Sequence, residues 1–220
     1  MKVLGINKKV ISEQLNRFQV RWILRSLVLL ACLALALPVM AGWGQQQKIT
    51  STPRGISAQF GNAVAINGNT MVVGARFDST TANQAGAAFV YVLSGGTWTQ
   101  QAVLLANDGA LADKFGYSVA ISENTIVVGS YNANAPSSNS GAAYVFVRNG
   151  TTWTQQQKLT ASIPAADQEY GNAVAITGDT IAVGDSHADQ GASETGAVYI
   201  YRRTGTVWAE TQKLLPTGGL

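Results

Sequence analysis

The apolar residues of this chain fall in short clusters rather than in stripes. Thr70-Met71-Val72-Val73-Gly74-Ala75 and Ala87-Ala88-Phe89-Val90-Tyr91-Val92 put apolar side chains on both faces of an extended segment. Clusters of this length, rich in β-branched and aromatic residues, predict strands covered on both sides, and no 3.6-residue period accompanies them. Turn formers separate them. Asn67-Gly68-Asn69 and Ser94-Gly95-Gly96-Thr97 supply residues that accept positive φ, so each predicts a tight hairpin. The first group of clusters therefore reads as four strands: A from Asn62 to Ile66, B from Thr70 to Ala75, C from Gly86 to Val92, and D from Trp98 to Leu105. A ten-residue polar loop joins B to C.

The group then repeats. Trp43, Trp98, Trp153 and Trp208 lie 55 apart, as do Phe60, Phe115 and Tyr170, and Gly86, Gly141 and Gly196. Phe60 to Ala75 shares ten of sixteen positions with Phe115 to Ser130, and ten with Tyr170 to Asp185. Four strands recurring at this period are the pattern of a radial β array. The predicted fold is all-β: three four-stranded 55-residue blades of a β-propeller, at about 60–105, 115–160 and 170–215. One extra D-type strand, Trp43 to Thr50, precedes them. Closed propellers take four to eight blades. Three readings follow: two copies close a six-bladed ring, further blades complete this one, or the array stays open with apolar faces bare.

The residues ahead of the repeats are chemically different. Lys2, Lys8, Lys9, Arg17, Arg21 and Arg25 stand against a single Glu13, and Leu27 to Ala41 then runs fifteen residues without a charge. As a helix that run would rise only about 22 Å, short of the roughly 30 Å hydrocarbon core. Residues 1–41 therefore read as a signal peptide cut after Ala41, with an uncleaved N-terminal membrane anchor as the alternative. The mature part, 42–220, is expected to be secreted or at the cell surface. Cys32 goes with the leader, leaving no thiol chemistry.

Removing the leader changes the electrostatics. The whole chain is +3, but six basic residues and one acidic residue lie before position 42, so the remainder is about −2. No nucleic acid partner follows from that balance, and membrane contact is expected only through an uncleaved leader.

The Phe60-Gly61, Phe115-Gly116 and Tyr170-Gly171 openings, each followed by a strand ending in Val-Gly and then a Gly-x-x-aromatic strand, resemble FG-GAP repeats, the blades of the integrin α-subunit propeller. The resemblance implies an integrin-like binding or adhesion module. Two departures stand out. The proline of the Gly-Ala-Pro element is replaced in Gly74-Ala75-Arg76, Gly129-Ser130-Tyr131 and Gly184-Asp185-Ser186. Calcium-binding members resemble EF-hands in carrying an acidic loop between strands A and B. Here that connection is Asn67-Gly68-Asn69, Ser122-Glu123-Asn124 or Thr177-Gly178-Asp179, too few oxygens for six to eight ligands. No metal or other cofactor is carried over.

Propeller connectivity puts the A–B and C–D hairpins on one face, and the B–C loops and D–A linkers on the other. The B–C loops, 76–85, 131–140 and 186–195, differ among otherwise near-copied repeats, and loops on a rigid scaffold are where binding groups sit. Arg76, Phe77, Asp78, Tyr131, Asn132, His187 and Asp189 are the predicted ligand-binding residues, for an extracellular protein or glycan. The alternative is that these loops vary because surface loops tolerate change. Four tryptophans at one repeat position read as packing anchors. Asp185-x-His187-x-Asp189 offers only three donors in one loop, too thin for a metal site. With one histidine, no Gly-x-Ser-x-Gly elbow and no P-loop, the chain is expected not to be an enzyme. A structural propeller fragment and a propeller-scaffold hydrolase are the alternatives.

Overall fold

A computed structural model describes residues 47–50, 57–135, 137–188 and 195–216. Residues 1–41, read from the sequence as a signal peptide, and Asp189 lie outside the described residues. Residues from Gln47 onward form one compact unit.

That unit holds three four-stranded antiparallel sheets, each in simple sequence order. The first contains β1 (Phe60–Asn67), β2 (Thr70–Ala75), β3 (Ala87–Ser94) and β4 (Thr97–Leu104). The second contains β5 (Ser118–Ser122), β6 (Thr125–Ser130), β7 (Ala142–Asn149) and β8 (Thr152–Leu159). The third contains β9 (Ala173–Thr177), β10 (Thr180–Asp185), β11 (Ala197–Thr204) and β12 (Val207–Leu214). Each sheet is a blade of propeller type, with A at the inner edge and D at the outer. The A–B hairpins close over two residues, pairing Asn67 with Thr70, Ser122 with Thr125 and Thr177 with Thr180. Gly95 and Gly96, both at positive φ, make the first C–D turn.

The core lies between blades, which explains strands apolar on both faces. Val72, Val90 and Leu104 of blade one pack with Phe115, Ile121 and Tyr144 of blade two. Val127, Val145 and Leu159 of blade two pack with Tyr170, Ile181 and Trp208 of blade three. Val73 and Phe89, on the other face of blade one, join Phe60, Trp98 and Ile49. The Phe of each Phe-Gly corner turns back into its own blade. Phe115 meets Tyr144 and Phe146 edge-on at 5.4 and 5.9 Å, and Phe60 meets Phe89 at 5.5 Å.

The backbones of neighbouring blades interlock at the glycines. Gly86 and Gly141, at the start of strand C, make parallel bridges to Phe115 and Tyr170. A Cβ on Gly86 would collide with the Phe115 backbone, and one on Gly141 with that of Tyr170. Only glycine permits this approach.

Strand D carries a second lock. Each D strand bulges by one residue: at Gln101 opposite Val90/Tyr91, at Gln156 opposite Val145/Phe146, and at Thr211 opposite Ile200/Tyr201. The bulge re-aims the extra side chain at the next blade. Gln101 Oε1 accepts the Trp153 indole N–H at 3.0 Å, and Gln156 Oε1 accepts that of Trp208 at 3.0 Å. The tryptophans therefore pack and tie blades together.

The extra D strand is only partly visible. Of 43–50, residues 47–50 are described, and they carry no strand pairing. Their position is nevertheless that of a D strand. The Gln47 side-chain amide bonds the Trp98 N–H at 2.8 Å and its carbonyl at 3.0 Å, as Gln157 of β8 bonds Trp208 at 2.8 and 2.7 Å.

Candidate functional site: the B–C loop face

The B–C loops and D–A linkers share one face, where the first two B–C loops are each stitched to the linker that leads into the following blade. The amides of Ala112, Lys114 and Phe115 donate to the carbonyls of Asn83, Gln84 and Ala85, and Asp167 N–H donates to Ser138. These bonds satisfy backbone groups that no sheet could use. They also hold an uncommon backbone. Among the described residues, Ser57, Gln59, Gln84, Ala112, Lys114, Asn139 and Asp167 have positive φ on this face, against Glu123 alone among non-glycines on the opposite one. Local strain of this kind is concentrated where a loop conformation is over-determined by its surroundings.

On this scaffold blades one and two build a ladder of rings and cations. Lys114 Nζ stands 4.1 Å from the centre of the Phe77 ring. The Arg76 guanidinium lies 4.9 Å from Phe77 and 5.3 Å from Tyr117. Tyr117 tilts against Tyr131 with centroids 4.4 Å apart. All five side chains are partly exposed. Each cation is held from below: Arg76 Nε donates to Gln59 Oε1 at 2.7 Å, and Lys114 Nζ donates to Gln84 Oε1 at 2.7 Å. Burial and the nearby Arg76 charge lower the Lys114 pKa. Burial, then Tyr117, raise that of Tyr131, with Arg76 acting the other way and Glu169 adding to the rise. Cations over ring faces attract anionic and polarisable groups that bridge between them.

The third blade brings a different chemistry to the same face. Glu169 Oε2 accepts a hydrogen bond from Ser186 Oγ at 2.8 Å and pairs with His187 Nδ1 at 3.1 Å. Ser186 Oγ also lies 3.1 Å from that same Nδ1. A relay needs the hydroxyl and the carboxylate on opposite ring nitrogens. Here one nitrogen meets both, so the trio is a polar knot rather than a nucleophile–base pair.

Of the predicted site residues, the structure gathers Arg76, Phe77 and Tyr131 into one patch. It sets His187 apart on blade three. Asp78 and Asn132 serve the loops instead. Asp78 is 1% exposed and its Oδ1 accepts the Thr80 amide at 2.9 Å. Asn132 donates to the Ala112 carbonyl at 2.8 Å. Lys114 and Tyr117 are the members that loop comparison misses, because they lie in the linker and at the Phe-Gly corner. A signal was present: Gln59, Lys114 and Glu169 share one repeat position with three different charges, and Tyr117 replaces the asparagine found at 62 and 172. Among the described residues, no group of three or more His, Cys, Asp or Glu is arranged to hold a metal ion.

The FG-GAP repeat pattern matches residues 43–91, 98–146 and 153–201. Each match opens on a tryptophan, at Trp98 and Trp153 one of strand D, and runs through the following A, B and C strands, so it groups residues 43–50 with the first blade. No curated protein matches the chain. The three tandem matches, the 55-residue period and the three stacked four-stranded sheets agree, and the chain belongs to the FG-GAP repeat family.

Proposed function

We propose that this propeller-type module is exported and acts by binding, as an extracellular or cell-surface adhesion element, without catalysis. The ladder of Phe77, Lys114, Arg76, Tyr117 and Tyr131 carries the reading. It joins two cations and three rings on a face whose loops differ between blades while the scaffold repeats. Aromatic platforms flanked by cations suit a glycan ring or an acidic protein segment. FG-GAP repeats are typical of extracellular and cell-surface proteins, which supports export. The single-nitrogen contact of His187 with both Ser186 and Glu169 supports binding over hydrolysis.

The test is a screen of the protein against an immobilised glycan array and extracellular-matrix proteins. It is repeated with all three B–C loops replaced by Gly-Ser of equal length, and with Tyr131→Ala. Loss of the captured ligand with unchanged circular dichroism is expected in the loop variant. Tyr131→Ala should weaken capture by about tenfold, since one truncated interface aromatic costs on the order of 1–2 kcal/mol. Equal capture by wild type and loop variant removes this face as the binding site.

A further inference from the structure

The two end blades each present a joint face that meets no partner among the described residues. At the joint between blades one and two, the incoming corner Phe115-Gly116-Tyr117 is received by Asn62, Gly74, Gly86 and Ala87. Asn62 Nδ2 donates to the Gly116 carbonyl at 3.2 Å and to that of Tyr117 at 2.9 Å. A Cβ on Gly74 or Gly86 would collide with the corner's backbone, and Ala87 lies directly against Gly116.

The same four residue types recur on blade three as Asn172, Gly184, Gly196 and Ala197, with no corner between them. A Cβ on Gly196 would meet nothing closer than 3.4 Å. These residues, with Ser186 and Leu214, line an open cavity of about 510 Å³. Asn172 Nδ2, free of a corner carbonyl, bonds Ser186 Oγ instead.

Exposure follows the same pattern. Ala88 and Ala143 are fully buried, yet their counterpart Val198 is 37% exposed; Leu104 and Leu159 are 2% exposed, yet Leu214 is 43% exposed. Blade one is bare on the opposite face. Val64 and Ile66 are 57% and 59% exposed, where Ile121 of blade two is 9% exposed. A Cβ on Gly61 would have nothing within 4 Å.

We infer that the blade-three cavity is a socket for the Phe60-Gly61-Asn62 corner of a second copy of this chain. The receiving residues repeat those of an established joint, and the corner left bare on blade one repeats the one that such joints accept. The contact is head-to-tail, and two such contacts between two copies close a ring of six blades, within the range of closed propellers. Asn172 then leaves Ser186 and bonds the carbonyls of Gly61 and Asn62.

Residues 47–50 regulate this joint. Gln47 sits on Trp98 where the repeat register would place Gln212 of the second copy, because both belong to the same D-strand position. Docking therefore exchanges Gln47-Lys48-Ile49 for Gln212-Lys213-Leu214.

The full chain, in a non-ionic detergent that masks residues 27–41, is analysed by sedimentation velocity. Val64→Arg spoils one face and Leu214→Arg the other, both at exposed positions that leave the blades folded. Each variant alone should associate at least about 100-fold more weakly than wild type, because a joint cannot bury an unpaired guanidinium. Mixed together they should pair 1:1 through the one joint that keeps both faces intact, more weakly than wild type because the other joint carries both arginines and stays open. Gln47→Ala should tighten wild-type association by freeing the Trp98 backbone. A wild-type chain that stays monomeric, variants that associate like wild type, or a mixture that associates no more strongly than either variant alone overturns the socket.

Discussion

Gly129 and Gly184 occupy the same place in two blades but in opposite circumstances. A methyl group on Gly129 would fall well under 3.0 Å from the Gly171 carbonyl oxygen and from Ser118 Oγ. The Gly171 corner cannot retreat freely, because its amide donates to the Gly184 carbonyl at 2.8 Å and the Gly171 carbonyl accepts from Ser118 Oγ at 2.8 Å. Overpacking costs about 1–3 kcal/mol where side chains can yield, and a backbone obstacle places this case at the upper end. Loss of glycine's freedom in the unfolded chain returns about 0.4–1 kcal/mol. Gly129→Ala should therefore cost about 2–3 kcal/mol net. At Gly184 the same methyl stands 3.1 Å from Asn172 Oδ1 and 3.3 Å from Ala173 Cβ, on an open face that can adjust. Its effect should stay within about 1 kcal/mol of zero. For a unit of this size 1 kcal/mol moves Tm by about 2–4 °C, so Gly129→Ala should lower Tm by about 4–12 °C and Gly184→Ala by at most about 4 °C. Thermal melts followed by tryptophan fluorescence, at dilution that prevents association, give both numbers. Equal losses at the two sites, or a neutral Gly129→Ala, would refute the argument that interlocked backbones hold the blades.

Three further outcomes follow from the same packing. Asp185 is 1% exposed and neither carboxylate oxygen has a hydrogen-bond partner among the described residues, so Asp185→Asn should gain about 1–2 kcal/mol at neutral pH in urea unfolding. Burial raises the Asp185 pKa above 3.8, and the nearby Lys213 charge offsets part of the rise. A raised acid stabilises the fold only below its unfolded pKa, so the gain of the Asn variant should shrink as pH falls toward that value and vanish beneath it. Gln157→Leu removes both bonds to the Trp208 backbone and should cost about 1–3 kcal/mol by the same assay, more than Gln47→Leu, whose partners are exposed. Burial pushes Tyr201 up to about 12, and also raises Tyr144, Tyr170 and Tyr199. Stability held by these neutral phenols is lost as pH rises above the ordinary value of 10.0, so phenolate absorbance should appear together with unfolding rather than before it.

The regular part of this molecule was legible because its signals are local. Tight hairpins follow from Asn67-Gly68-Asn69 and its counterparts, since only a few residues accept the backbone such turns demand. Strands apolar on both faces followed from Met71-Val72-Val73 and Ala88-Phe89-Val90, since a strand exposed on one side would alternate. The candidate site's geometry was legible only in part. Comparing loops picked out Arg76, Phe77 and Tyr131, which the fold gathers into one patch, and also Asp78 and Asn132, whose polar groups bond backbone atoms of a loop and of a linker. Polar residues at a loop tip and at a loop hinge look alike in one dimension.

By itself, the sequence determined the all-β class, the 55-residue period, the order of strands in each blade and the face on which the loops differ. Each of these depends on residues close in the chain or on exact repetition. Only the tertiary structure decided what happens between repeats. It showed Lys114 of a linker reaching Phe77 of the preceding blade's loop, Gln156 re-aimed by a bulge onto Trp208, and Gln47 standing on Trp98 in an outer-strand position. It also separated Gly129, pressed against Gly171, from Gly184, open to a cavity, although the two lie in nearly identical strands. The physical reason is that a joint is made by two surfaces, and a repeat carries the same surface whether or not a neighbour covers it.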